Sequence, residues 1–319
     1  MKIVILERNS VGLDTSVDEI SAFGDVISHP NTTANDVKEK IKDAEIIIAN
    51  KAPLNEDTLK DAPYVKLICE FATGYDNVDL AYCKSRGIKV ANVVNYSTDA
   101  VAQHTFALCF YILEKLRHYD EYVKSGAYAA QDRFSNFDIP FTELSGKIWG
   151  IVGMGNIGKK VAGIAQAFGC RVIFYSASGQ STCKEYERVD FDTLLKESDF
   201  LSLHCPLSER TRNLINLEAL KKMKKTAILV NVARGPVVND GDLYTALTKE
   251  YIAGAGLDVT GTEPMKDSNP LSKIKDSSRL IITPHLAWAS TEARKRCVLE
   301  TCKNIEAFLN GRDRNIVNL

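Results

Sequence analysis

The chain has 319 residues, 45% of them hydrophobic and 25% charged, with a formal net charge of −1. That length exceeds what a single core normally supports, so two domains are expected, and the composition is that of an ordinary globular protein. A near-neutral charge gives no long-range field to recruit nucleic acid or anionic lipid, which argues against both as partners, and no apolar stretch approaches bilayer-spanning length.

The N-terminus, MKIVILERNS, carries one lysine and an apolar run of strand length, too short for the core of a signal peptide. The eight cysteines are scattered, with no CxxC and no histidine at metal-ligand spacing from a pair of them. Most sit in apolar or helical segments, where a thiol acts as a small hydrophobe. Structural thiols, no metal and a reducing, cytoplasmic compartment are the expectation.

Strand-length apolar runs alternate with helix-like segments along the whole chain. The first series is KIVILE (2–7), DVISHP (25–30), AEIIIAN (44–50), VKLICEFA (65–72) and KVANVV (89–94). Between them lie amphipathic stretches such as TTANDVKEKIKDA, with Asn31 to Thr33 as candidate caps. Such alternation reads as a parallel α/β sheet covered by helices on both faces. Residues 97–126 keep helical spacing as far as Leu116 and form the longest helix candidate, with Ser97 or Thr98 as its cap. Segment 134–146 is irregular, its turns marked by Pro140 and Gly146.

A second series follows: KIWGIVGMG, RVIFYS, DFLSLHCP, AILVNVA, IAGAGLDV and RLIITPH, and then a terminal helix closed by Gly311. That helix comes too late to join the second sheet, so it is expected on the first unit. The first domain is then discontinuous, 1–98 with 287–319, around a second domain at 99–286. No internal repeat is present.

IVGMGNIGKK places Gly153, Gly155 and Gly158 as G-x-G-x-x-G, after an apolar strand and at the start of a helix. A bare match is weak, but this context is the one the motif requires. The first glycine makes the turn, the second admits a pyrophosphate to the backbone, and the third lets helix pack on strand. The helix N-terminus meets the phosphates with N–H groups and a positive dipole end. An acid is expected at the end of the next strand to bond the adenosine ribose; here the position is Ser176. Serine removes the repulsion of a 2′-phosphate, yet no cation appears before Lys184. NAD is the expected cofactor, with NADP open.

Three polar residues fall at the ends of later strands: Arg234 after AILVNVA, Asp258 with Glu263 beyond GAGLDV, and His285 in ITPHLAW. In open α/β sheets that edge holds ligands. Each has a bland reading: a surface salt bridge for Arg234, a solvated carboxylate for Glu263, a satisfied core imidazole for His285. Together they supply carbonyl reduction. Imidazolium offers a proton near neutral pH, a carboxylate at its far nitrogen orients the ring and favours its charged form, and a planar guanidinium grips a carboxylate while polarising the carbonyl.

With these residues in place, the chain resembles the D-isomer-specific 2-hydroxyacid dehydrogenase family over essentially its full length. The matching stretches are FATGYDNVDL, YSTDAVAQHTFAL, GIVGMGNIGKKVA, LHCPLSERTRNLI, VNVARGPVV, GAGLDVTGTEP and ITPHLAWAS, in the family's order. AVAQHTFAL, and ITPHLAWAS with its following EAR, are most similar to the glycerate dehydrogenase (hydroxypyruvate reductase) branch. The resemblance implies two doubly wound parallel-sheet domains, a Rossmann dinucleotide-binding domain and a flavodoxin-like substrate domain. It implies Arg234, Glu263 and His285 as the catalytic trio, and Asn156 and Ile157 beside the glycines of the cofactor turn. It places backbone N–H groups around Thr73 and Gly74 on the substrate carboxylate. His204, Cys205 and Pro206 fall on the adenosine side, Val232 and Asp258 on the nicotinamide side. It further implies a homodimer built on the coenzyme domain, supported by the 97–126 helix, and closure of the domains at the two crossings.

Ser176 departs from the acid that many relatives carry. Trp288 follows His285 closely enough in the sequence to wall a substrate pocket, which would favour small substrates; core packing is the equal alternative for a tryptophan there. The expected activity is NAD(P)-dependent reduction of hydroxypyruvate or glyoxylate, with D-lactate dehydrogenase on pyruvate as the alternative. A different class is a non-catalytic NAD(H) sensor, which needs only the glycine loop but also appended partner-binding segments. The chain begins at its first strand and ends at its last helix, leaving little room for them.

Overall fold

The computed structural model describes all 319 residues, which divide into two compact units: Met1–Ser97 with Trp288–Leu319, and Thr98–Ala287. The crossings therefore fall after Ser97 and after Ala287, and the terminal helix Thr291–Leu309 belongs to the first unit.

The first unit is built on strands β1 (Lys2–Ile5), β2 (Asp25–Ser28), β3 (Ile46–Ala49), β4 (Leu67–Glu70) and β5 (Lys89–Ala91). They are all parallel and lie in the order β2-β1-β3-β4-β5, the flavodoxin-like order. β3 and β4 are buried along their whole length, so they read as continuous apolar runs rather than as alternation. The chain's end returns to this sheet through Val317 N–H on the Val90 carbonyl, 2.8 Å.

The second unit carries β6 (Ile148–Val152), β7 (Arg171–Tyr175), β8 (Glu187–Arg188), β9 (Phe200–Leu203), β10 (Ile228–Asn231), β11 (Gly254–Leu257) and β12 (Leu280–Ile282). The parallel order is β12-β11-β10-β9-β6-β7-β8. Counted within the unit this is 3-2-1-4-5-6 with a seventh strand added, the dinucleotide-binding arrangement. Trp149 and Ile151 of β6 face one apolar layer with Phe106, Ile112 and Val161, and Val152 faces the other with Leu194 and Leu201. Each such side chain contributes ~1.5–3 kcal/mol on burial. β11 can lie close under the helix Thr98–Leu113 because it is GAGL: a Cβ on Gly256 would stand 2.7 Å from Leu108 Cβ.

Two local expectations need correction. The early helix is Val37–Ile41, starting after Asp36 rather than at Asn31–Thr33, because the Thr33 hydroxyl donates to Asp36 Oδ2 (2.7 Å) and closes a turn first. The long helix is broken. It runs Thr98–Leu113 and resumes at Leu116–Lys124, with Lys115 left-handed (φ +54°) and its ammonium on the Ser278 carbonyl, 3.2 Å. The second piece buries nothing, so no core compels it to continue the first. β8 consists of two exposed charged residues and carries no apolar signal in the sequence. The eight cysteines are free thiols, all buried but the half-buried Cys183. No helix is long and apolar enough to cross a membrane.

Candidate active site

β10, β11 and β12 are neighbours in register, so the segments that leave their C-terminal ends emerge side by side. After β10, the fully buried Asn231 shapes the turn. Its Oδ1 accepts from Ala233 N–H (3.0 Å) and its Nδ2 donates to the Arg234 carbonyl (3.1 Å). Arg234 is half-buried, with Nη1 on the Ala233 carbonyl at 2.8 Å. Next comes Gly235, where a Cβ would stand 1.7 Å from the Thr260 carbonyl oxygen; any side chain there would force the Arg234 and Glu263 segments apart.

After β11, Asp258 is 1% exposed and fully engaged. Its carboxylate accepts from the N–H groups of Leu286 and Ala287, both 2.8 Å, and from the Thr283 hydroxyl, 2.6 Å. Its carbonyl accepts from His285 N–H at 2.8 Å. Asp258 thus builds the turn that carries His285, whose backbone is left-handed (φ +55°). Such a conformation costs ~1–3 kcal/mol and persists only where the surroundings impose it. Here they do. Behind Thr283 stands His104, its Nε2 2.9 Å from the Thr283 hydroxyl; burial lowers its pKa, against the opposing pull of Asp258.

Glu263 closes the arrangement. Oε1 accepts from Thr260 N–H at 3.2 Å and Oε2 lies 2.7 Å from His285 Nδ1. The carboxylate therefore holds Nδ1 protonated and leaves Nε2 as the working nitrogen. The side chains of His285 and Glu263 are 27% and 33% exposed, so the pair is open to solvent and reactants.

The glycine loop joins β6 to the helix Asn156–Ala167. Gly153 is left-handed (φ +94°), and a Cβ on it would meet the His204 carbonyl at 2.8 Å. At Gly158 a Cβ would stand 2.2 Å from the Gly153 carbonyl, whereas at Gly155 it would meet nothing within 4 Å. The first and third glycines are thus demanded by packing, and the second fronts open space, as a pyrophosphate requires. No side chain caps this helix and its first turn holds no acid, which suits an anion. These residues fit a dinucleotide.

The model of the D-isomer specific 2-hydroxyacid dehydrogenase NAD binding domain matches residues 106–287, more than half of the chain. The chain is 39% identical over 317 residues to a glycerate dehydrogenase of Methylorubrum extorquens, covering 99% of this chain and 98% of that one. It is 38% identical to a hydroxypyruvate reductase of Blautia hydrogenotrophica, each covered in full. This chain belongs to the D-isomer specific 2-hydroxyacid dehydrogenase family. Among solved structures, an acyclic imino acid reductase in complex with NADPH and D-Arg superposes with a TM-score of 0.89 at 30% identity, covering 99% of this chain and 100% of that one. The protein is accordingly an NAD(P)-dependent dehydrogenase acting on CH–OH groups.

In this dehydrogenase Ser176 directly follows β7 and is 7% exposed; its hydroxyl accepts from Ser181 N–H at 3.3 Å. In the sequence no cation follows it before Lys184. The fold supplies one, because β8 pairs with β7 and brings the Arg188 guanidinium to 3.9 Å from where a Cβ on Gly179 would stand. His204 is neutral: burial pushes its pKa down to about 3. Its Nε2 is 3.0 Å from the Ser202 hydroxyl, which also accepts from Trp149 Nε1, while its Nδ1 is buried without a partner. Cys205 is buried in the core, Pro206 is exposed and Val232 is half-buried.

In the first unit, Thr73 and Gly74 follow β4 in a loop tied down by side chains. The Thr73 hydroxyl donates to the Val93 carbonyl (2.8 Å) and Asn92 Nδ2 donates to the Thr73 carbonyl (2.7 Å). Trp288 packs edge-on against Tyr96, ring centroids 6.0 Å apart. Asn231, His104, Thr283 and Arg188 are the residues the sequence reading missed. His104, Asn231 and Thr283 lie inside the AVAQHTFAL, VNVARGPVV and ITPHLAWAS stretches, whereas Arg188 had no signal.

Proposed function

We propose that this dehydrogenase reduces small 2-keto acids to D-2-hydroxy acids, with hydroxypyruvate to D-glycerate as the leading reaction and glyoxylate as a second substrate. The observation that carries the reading is the 2.7 Å contact of His285 Nδ1 with Glu263, on the loop beside Arg234. Bound NAD(P)H supplies the hydride that the carbonyl carbon receives. Arg234 holds the substrate carboxylate and draws charge toward the carbonyl oxygen. His285 gives its Nε2 proton to that oxygen, and Glu263 keeps the ring aimed; in the reverse direction neutral Nε2 takes the hydroxyl proton. In the first unit, the backbone N–H groups of Thr73 and Gly74 are donors suited to a carboxylate, and the bulk of Trp288 favours small substrates. The names of the relatives, glycerate dehydrogenase and hydroxypyruvate reductase, support this substrate class.

Serine at 176 and Arg188 across the strand pair favour acceptance of a 2′-phosphate, so NADPH is used alongside NADH. The test is oxidation of each cofactor with hydroxypyruvate, glyoxylate and pyruvate. The expected result is hydroxypyruvate fastest, with Arg188→Ala lowering kcat/KM for NADPH only. Turnover of pyruvate alone would move the enzyme to D-lactate, and no turnover with any pair would overturn the reading.

The protein acts as a homodimer. The support is an apolar arm in the second unit: Val123 in a helix with no buried residue, then Phe134, Phe137 and Phe141, which are 88%, 70% and 57% exposed. Exposed large apolar side chains concentrated in one segment of the chain point to an association site. Sedimentation should give a dimer for the native chain and a monomer for Phe134→Ser with Phe137→Ser; a native monomer would refute it.

A further inference from the structure

Glu70 ends β4 and immediately precedes the loop of Thr73 and Gly74, yet it is wholly buried. One carboxyl oxygen, Oε1, accepts from Asn77 Nδ2 at 3.2 Å; the other, Oε2, has no partner. The same Asn77 amide donates to the Ala52 carbonyl at 3.0 Å, so Glu70 and Asn77 clasp the 71–77 loop to the 50–52 loop. That second loop is already anchored by Glu7, whose Oε2 accepts from the N–H groups of Asn50, Lys51 and Ala52 at 2.8, 2.8 and 3.0 Å. Oε2 of Glu70 has no such donors.

We propose that Glu70 is a positioning residue for substrate: held as a neutral acid, it clasps the 71–77 loop through Asn77 and keeps negative charge away from the backbone that receives the substrate carboxylate. The inference rests on the substrate-loop reading given above. Ionised, Glu70 would place a second anion, besides Glu7, beneath a loop that must attract an anion. The titratable and charged groups around it are Glu7, Lys51, Asp76, Cys69 and Cys297. Burial is the main cause that raises its pKa, to about 8; Asn77 and Lys51 pull down, Glu7 and Asp76 push up. Glu70 is therefore mostly protonated at neutral pH and loses its proton just above it.

The competent fraction then falls about tenfold per pH unit above that value, and apparent affinity falls with it. In the native enzyme KM for hydroxypyruvate should rise in this way above about pH 8 while kcat changes far less. Glu70→Gln, which keeps the acceptor for Asn77 but cannot ionise, should hold KM flat, leave kcat at pH 7 within about twofold and leave NADH affinity unchanged. A native KM that is flat above pH 8, or a Glu70→Gln profile matching the native one, would overturn the proposal. Infrared titration of the native protein decides the proton separately from turnover. A neutral-carboxyl C=O band that disappears near pH 8 supports the proposal, and its absence at pH 7 refutes it even in a fully active enzyme. Loss of all 2-keto acid turnover with that band intact would instead count against the substrate reading.

Discussion

Two parallel sheets in this chain end their strands in loops, and the two edges treat charge in opposite ways. In the second unit the ionisable groups at the strand ends are presented: His285 and Glu263 stay partly open to solvent, paired at 2.7 Å, on turns built by buried Asp258 and Asn231. In the first unit the acid at the strand end, Glu70, is sealed in and neutral, and the loop above it offers main chain. On the proposed reading, one edge moves a proton and the other receives an anion. The shared architecture does not decide between them; the side chain at the last strand position and the donors around it do.

The largest test of that contrast is His285→Gln. If the second edge moves the proton, turnover should fall by ~10²–10⁴-fold while NADH affinity, measured by fluorescence titration, stays near native. Unchanged turnover would remove the contrast altogether.

A sharper version concerns stability. Glu70 has a pKa raised from 4.5 to about 8, so the stability it contributes is whole below pH 4.5 and is lost as pH rises toward 8. His204, in the second unit, has its pKa lowered from 6.5 to about 3, so its unfolded form binds the extra proton and stability is lost as pH falls from 6.5 toward 3. Each slope amounts to a few kcal/mol, at about 1.4 kcal/mol for every tenfold change in proton affinity on folding. Urea unfolding of Glu70→Gln should therefore lose the alkaline decline, and His204→Gln the acid one. Both variants tracking the native curve would show that neither group is held neutral.

The smallest effect tests packing. Gly256→Ala puts a methyl group 2.7 Å from Leu108 Cβ and should cost ~1–3 kcal/mol in thermal unfolding. Gly155→Ala, facing open space, should leave stability near native and weaken cofactor binding. Equal losses of stability at both sites would erase the distinction between packing and ligand glycines.

Much of this was legible from the residues alone. The alternating apolar runs predicted two parallel sheets, and the glycine spacing, with its strand before and helix after, marked the cofactor turn. Arg234, Glu263 and His285 stood out because each is a polar residue just past a buried run. The break at Lys115 was not legible, because helical spacing persists to Leu116 and only the packing shows that the continuation, Leu116–Lys124, buries nothing. Nor was β8, whose two charged residues resemble a loop.

Period and punctuation are local properties, so the apolar strands along the chain, the glycine turn and the residue types available for chemistry were determined by the sequence alone. Burial and partnership depend on which distant segments are brought together. Only the tertiary structure decided that Asp258 supports the His285 turn, that Arg188 reaches the loop after Ser176, and that Glu70 is enclosed with one oxygen unpaired. A carboxylate in the sequence is simply an acid; its neighbours in space set whether it stays charged.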